Sequence, residues 1–152
     1  MKKIITLLFV FSLLTLNVFS QKNVPEIVKK EFAKKFSRAR AVKWSSEEAY
    51  EWEAEFKINA TEMSSSFDNN GIWLETEAKI NEKDLPAAVE DTLKTKFGGY
   101  KHGEISTIEN SQMKGIELSL KKGETSLEVV MDNSGKVIKQ TESRKEKEDK
   151  MK

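Results

Sequence analysis

The sequence predicts an α+β fold built as a tandem repeat, with one helix followed by a four-stranded antiparallel sheet in each copy. Three observations carry that expectation. First, Val24-Pro25-Glu26-Ile27-Val28 is answered 61 residues later by Leu85-Pro86-Ala87-Ala88-Val89, and at the same offset Phe32 matches Leu93, Lys35 matches Lys96 and Phe36 matches Phe97. Self-similarity at a fixed spacing marks a duplicated unit. Second, an alternating run follows each segment. Third, Phe67-Asp68-Asn69-Asn70-Gly71-Ile72 and Met131-Asp132-Asn133-Ser134-Gly135-Lys136 each place a glycine after turn-forming residues, as a hairpin does.

Taken in chain order, Met1 to Ser20 read as a secretory signal: Lys2 and Lys3, an apolar stretch from Ile4 to Phe19, then Val18-Phe19-Ser20 as a small-residue cleavage site. The stretch is short for a span, which needs roughly 20 apolar residues, although an uncleaved anchor is the alternative. The domain then runs over 21–142, with repeats at 24–80 and 85–142. Positions 24, 28, 32 and 36, and likewise 85, 89, 93 and 97, recur every four residues and form one apolar helical stripe. Helices are therefore predicted over 24–37 and 84–97. Pro25 and Pro86 suit a first helical turn, Asn23 or Asp84 is positioned to cap it, and Gly98-Gly99 ends the second helix.

Strands are predicted near 41–46, 50–58, 61–68, 72–80, 103–109, 113–121, 125–131 and 136–141. Tyr50, Trp52, Ala54, Phe56 and Ile58 alternate with Glu51, Glu53, Glu55 and Lys57, and Ile116, Leu118 and Leu120 alternate with Glu117, Ser119 and Lys121. Side chains alternate across a strand, so one face of each is apolar and the other polar. In the fourth strand Ile72, Leu74, Thr76, Ala78 and Ile80 are expected inward, leaving Trp73 outward beside Glu75, Glu77 and Lys79. Residues 143–152 read as a charged, disordered tail.

Composition narrows the functional classes. In 152 residues, 26 Lys plus Arg balance 25 Asp plus Glu, for a formal net charge of +1. Loss of Lys2 and Lys3 with the signal leaves 24 basic residues against 25 acidic. Neither balance suits a nucleic-acid binder, and no membrane attachment is expected once the signal is cleaved. Three Trp and eight Phe supply a core, and the absence of Cys excludes disulfides and thiol chemistry.

No catalytic constellation stands out. His102, the sole histidine, lies between Gly99 and Gly103 and reads as a loop residue, and the chain contains no Gly-x-Ser-x-Gly turn. One His without Cys cannot furnish a tetrahedral zinc set, and Asp68-Asn69-Asn70-Gly71 lacks the ligand spacing of a calcium loop. The expectation is a non-enzyme with no cofactor and no metal.

The signal segment, helices opening on Val-Pro or Leu-Pro, a Trp soon after the first helix, the run Tyr50-Glu51-Trp52-Glu53-Ala54-Glu55-Phe56, and the Phe-Asp-x-x-Gly and Met-Asp-x-x-Gly hairpins together resemble the PepSY-like, beta-lactamase-inhibitor-like secreted proteins of Bacteroidetes. The resemblance covers Val24 to about Thr141. It implies a beta-lactamase-inhibitor-like α+β repeat with one open sheet face, and a periplasmic or secreted binding or inhibitory role. The expected function is an exported, non-enzymatic module, inhibitory or chaperone-like, that engages an extracytoplasmic protein or peptide. The expected contact residues are Trp73 as aromatic anchor with Glu51, Glu53, Glu55 and Glu75 around it. The alternative is a periplasmic carrier holding a small ligand between helices and sheet, lined by residues such as Trp52, Phe56 and Leu118.

Overall fold

A computed structural model describes residues 24–48 and 50–144. The predicted signal segment lies outside these residues, as do residues 145–152 of the predicted tail, whereas its first two residues, Ser143 and Arg144, are paired in the last strand. The order is α1 (Glu26–Lys35), β1 (Arg40–Glu48), β2 (Glu51–Ile58), β3 (Thr61–Asp68), β4 (Trp73–Lys79), a 3₁₀ turn (Glu82–Asp84), α2 (Ala87–Lys96), β5 (Lys101–Asn110), β6 (Lys114–Lys122), β7 (Thr125–Met131) and β8 (Val137–Arg144).

The expected pair of four-stranded sheets is not what forms. All eight strands make a single sheet in the order β1 to β8, each antiparallel to its neighbours. The correction comes from the β4–β5 pairing, which runs from Glu75 opposite Asn110 to Lys79 opposite Ser106. Two separate sheets would leave β4 and β5 as edges with unpaired backbone groups. Joining them satisfies both, and the architecture is one sheet with two helices rather than a repeated helix-plus-sheet unit.

Both helices begin after a proline that serves as N-cap, with φ near −55°, and neither cap uses a side-chain hydrogen bond. Asp84 instead belongs to the 3₁₀ turn, and Asn23 lies outside the described residues. The predicted stripes are the buried ones. Val24, Val28, Phe32 and Phe36 pack on Ala54, Phe56 and Phe67, while Leu85, Val89, Leu93 and Phe97 pack on a largely aliphatic floor that includes Ile105, Leu118, Val129 and Met131. The α1 core is aromatic: the Phe32 ring lies 5.2 Å from that of Trp44 and 5.0 Å from that of Phe56, both edge to face. Each fully buried side chain contributes about 1.5–3 kcal/mol of transfer free energy.

Two turns tie the sheet to its helices. In the β3–β4 turn Asp68 Oδ1 accepts from the amides of Asn70 and Ile72, both at 2.8 Å, and Gly71 takes φ +79°. Asp132 does the same for Ser134 and Lys136, at 2.9 and 3.1 Å, with Gly135 also at φ +79°. Such φ values suit glycine. A Cβ on Gly135 would also collide with the Ala88 carbonyl of α2, and one on Gly71 would lie 3.0 Å from the Ile27 carbonyl of α1. The glycines therefore let each turn lie flat on a helix.

Candidate functional site

Both helices cover the same face of the sheet, because residues 54, 56 and 67 under α1 and residues 105, 118 and 129 under α2 share that side by the observed pairing. The other face carries Glu51, Glu53 and Glu55 on β2, Ser64 and Ser66 on β3, Glu75 and Glu77 on β4, Ser106 on β5, Glu117 on β6 and Glu128 on β7. Their partners establish this: Glu53 lies opposite Ser66, Ser66 opposite Glu75, Ser64 opposite Glu77, and Ser106 opposite Glu117. No described helix covers this face.

The sequence suggests an open face with exposed glutamates here, and the structure buries two of them in a curled one. Glu51 and Glu53 are only 7% and 4% exposed, and Ile108 and Val130 on the same side are buried. Strands spaced about 4.8 Å apart would put β8 roughly 19 Å from β4 on a flat sheet. Lys139 of β8 and Glu128 of β7 nevertheless act electrostatically on Glu75 of β4, so the sheet bends toward its open side. Twist along eight strands, with register shifts in β1, β4, β5 and β8, provides the bend.

Confinement changes the carboxyl chemistry. Burial pushes the Glu77 carboxyl up to about 8, reinforced by the negative neighbours Glu75, Glu128 and Glu104. Burial likewise raises Glu117, to about 9, with Glu77 and a hydrogen bond shared with Glu128 adding to the effect. Glu75 is raised by burial too, with an opposing hydrogen bond from Asn110 Nδ2 at 3.1 Å. One end of the face differs. There Lys57 lies 3.0 Å from Glu62, and Lys79 lies 3.5 Å from Glu62 and 3.6 Å from Glu104. These cations hold the Glu62 carboxyl below its usual range, whereas the charged neighbours that shift Glu77 and Glu117 are all acidic.

Of the five residues expected to make contact, four share the open face and one does not. Trp73 lies opposite Phe67 after a register shift between Ser66 and Phe67. That shift turns the indole to the helix side, where Nε1 donates to Thr76 Oγ1 at 2.8 Å and Lys35 Nζ sits 3.8 Å from the ring centroid. Ile72, expected inward, is exposed. Glu55 is exposed on the open face, between Lys43 of β1 and Ser64 of β3.

Glu117 and Glu128 were not singled out by sequence reasoning. Alternation within β6 gives the side of Glu117, but its closeness to Glu77 depends on the β4–β5 pairing, which has no local signature. His102 is a strand residue, and its Nδ1 lies 2.6 Å from Glu82 Oε1. Trp52 and Phe56 belong to the α1 core and Leu118 to the α2 core, so the structure does not bring the suggested ligand-pocket residues together. Among the described residues no three His, Asp or Glu side chains converge to hold a metal ion, and no helix is long and apolar enough to cross a membrane.

A single antiparallel sheet with two helices on one face and an acidic, curled second face defines a beta-lactamase-inhibitor-like fold. The chain belongs to the PepSY-like family, whose model, described as "Putative beta-lactamase-inhibitor-like, PepSY-like", matches residues 15–64 and 50–139. It is similar in structure to a BLIP-like protein from Bacteroides fragilis, with TM-score 0.71, 19% identity, and coverage of 82% of this chain and 90% of that one. It is equally similar to a DUF2874 family protein from Bacteroides uniformis and to a protein from Bacteroides eggerthii described as "putative periplasmic". Each of these two has TM-score 0.71 and 18% identity, with 78% of this chain and 88% of that chain covered. No curated protein matches the sequence.

Proposed function

We infer that the chain is an exported, non-enzymatic binding module that engages an extracytoplasmic protein or peptide through the open face of its sheet. The observation that carries the reading is the asymmetry of the two faces. The helix side is filled by two packed cores, whereas the other side is curled, polar and uncovered by any described helix, yet holds half-buried carboxyls. Burying carboxyls on a bare face costs stability, and a recognition surface gives that cost a use. The apolar leader at residues 1–20 and the "putative periplasmic" description of one structural neighbour support export. An inhibitory role has its support in the family description.

Photo-crosslinking tests the reading. A photoreactive residue replacing Ser119 or Thr141 on the open face is expected to trap a discrete adduct in the envelope of the producing cell, whereas one replacing Lys30 on α1 is not. Adducts formed from Lys30 alone would refute it.

A further inference from the structure

We propose that Asn70 is a site of spontaneous covalent modification: the Gly71 backbone nitrogen displaces its side-chain amide, leaving aspartate or isoaspartate in the β3–β4 turn. The proposal is independent of the binding-module reading.

The reaction needs only water and a solvent base. The Gly71 amide nitrogen gives up its proton and attacks Asn70 Cγ, so a new C–N bond closes a succinimide ring. The Cγ–Nδ2 bond breaks, and that nitrogen leaves as ammonia after taking a proton from solvent. Water then opens the ring at either carbonyl. Opening at Cγ gives aspartate, and opening at the main-chain carbonyl gives isoaspartate, whose backbone runs through Cβ and Cγ. The balance is one water taken up and one ammonia released.

The structure singles out this residue. Asn70-Gly71 is the one Asn-Gly pair in the sequence, and glycine has no Cβ to crowd the ring closure. Asn70 is exposed, and among the described residues its side chain is held by a single 3.3 Å bond, from Nδ2 to Asp68 Oδ2. Other asparagines are more firmly placed. Asn69 Oδ1 accepts from Trp52 Nε1 at 2.7 Å, and Asn110 Oδ1 accepts from the amides of Gln112 and Met113. Asn133 precedes Ser134, whose amide is tied to Asp132 Oδ1 at 2.9 Å. Asn59 and Asn81 precede Ala60 and Glu82, each of which carries a Cβ.

The second turn is an internal comparison. Each turn has an Asp that holds two amides and a glycine at φ +79°, but the residue before that glycine is Asn70 in one and Ser134 in the other. The turn geometry does not require asparagine there. The Gly71 amide donates to the Asp68 carbonyl at 3.0 Å, so attack follows opening of that bond, a local event at an exposed turn. The products then disturb the contact with α1. A Cβ on Gly71 would lie 3.0 Å from the Ile27 carbonyl and from Glu31 Cγ, and isoaspartate lengthens the main chain by a methylene beside this contact. Aspartate instead puts a second carboxylate next to Asp68 in place of the Nδ2 donor.

Peptide mapping by mass spectrometry of the full chain, stored folded at mildly alkaline pH, tests the proposal. The fragment containing Asn70 is expected to gain about 1 Da, the difference between an amide and an acid. It is expected to split into two species, one of which accepts a methyl group from protein isoaspartyl methyltransferase. Asn70→Ser, which copies the second turn, is expected to keep the parent's far-UV circular dichroism and to show neither change. The thermal midpoint of the parent is expected to fall on storage while that of Asn70→Ser holds. An unmodified Asn70 would overturn the proposal, as would modification confined to chains unfolded in urea. Equal loss of thermal midpoint in parent and Asn70→Ser would overturn the stated effect on the α1 contact.

Discussion

Replacing Glu77 by Gln should stabilise the fold at alkaline pH and do almost nothing in acid. Glutamine has the shape of the protonated carboxyl but cannot ionise. The Glu77 carboxyl titrates at about 8 in the folded chain against an ordinary value of 4.5, so between those values the folded state holds a proton that the unfolded state has released. Stability therefore falls as pH rises from about 4.5 to about 8 and is level above that. A shift of about 3.5 units at about 1.36 kcal/mol per unit sets a ceiling near 5 kcal/mol, and water reaching the half-buried side chain brings the expected gain to about 2 kcal/mol. For a domain of this size that corresponds to a rise of roughly 6–10 °C in Tm at pH 9. The assay is differential scanning fluorimetry of parent and variant from pH 4 to pH 9, read as the difference between them. A difference that does not change with pH, or a variant less stable than the parent at pH 9, would refute the reasoning.

Other expectations follow from the packing. Trp73→Ala removes an indole seated against the α1 core and should cost about 2–4 kcal/mol in urea unfolding. Leu118→Ala, at a fully buried site in the α2 core, should cost about 2–5 kcal/mol by the same measurement. Gly135→Ala combines an unfavourable φ with a clash against the Ala88 carbonyl, so it should lose more than about 1 kcal/mol and lower the thermal midpoint.

What the sequence makes legible is local. The four-residue spacing of Val24, Val28, Phe32 and Phe36 identified a buried helical stripe, because one face of a helix is written in consecutive turns. The alternation at 51–58 and 116–121 identified strands and their apolar sides for the same reason. Trp73 escaped because a bulge shifts the side-chain alternation by one residue, and nothing in Ile72-Trp73-Leu74 announces one. His102 was read as a loop residue because Gly99 and Gly103 flank it, yet Gly103 lies within β5. Duplication was over-read. Similar segments 61 residues apart reveal that helices and strands recur, but not whether the last strand of the first set pairs with the first strand of the second. That choice is made by edges 22 or more residues apart in the chain, where backbone groups of β4 and β5 would otherwise go unpaired.

The same long-range choice makes the acidic centre. Glu75 and Glu77 come from β4, and Glu117 and Glu128 come from β6 and β7, beyond the intervening α2. Were β4 and β5 the edges of separate sheets, these carboxyls would titrate independently. In the joined sheet Glu128 helps to raise Glu77, so the two belong to one electrostatic unit. Glu128→Gln removes that repulsion without touching β4, and the Glu77 titration followed by carbon-detected NMR of its side-chain carboxyl should then move down toward the ordinary carboxylate range. The size of that movement measures how tightly the sheet curls across the junction. An unmoved Glu77 midpoint would mean that the carboxyls on the two sides of α2 do not share one groove, and the reading of this face as a single electrostatic unit would fall.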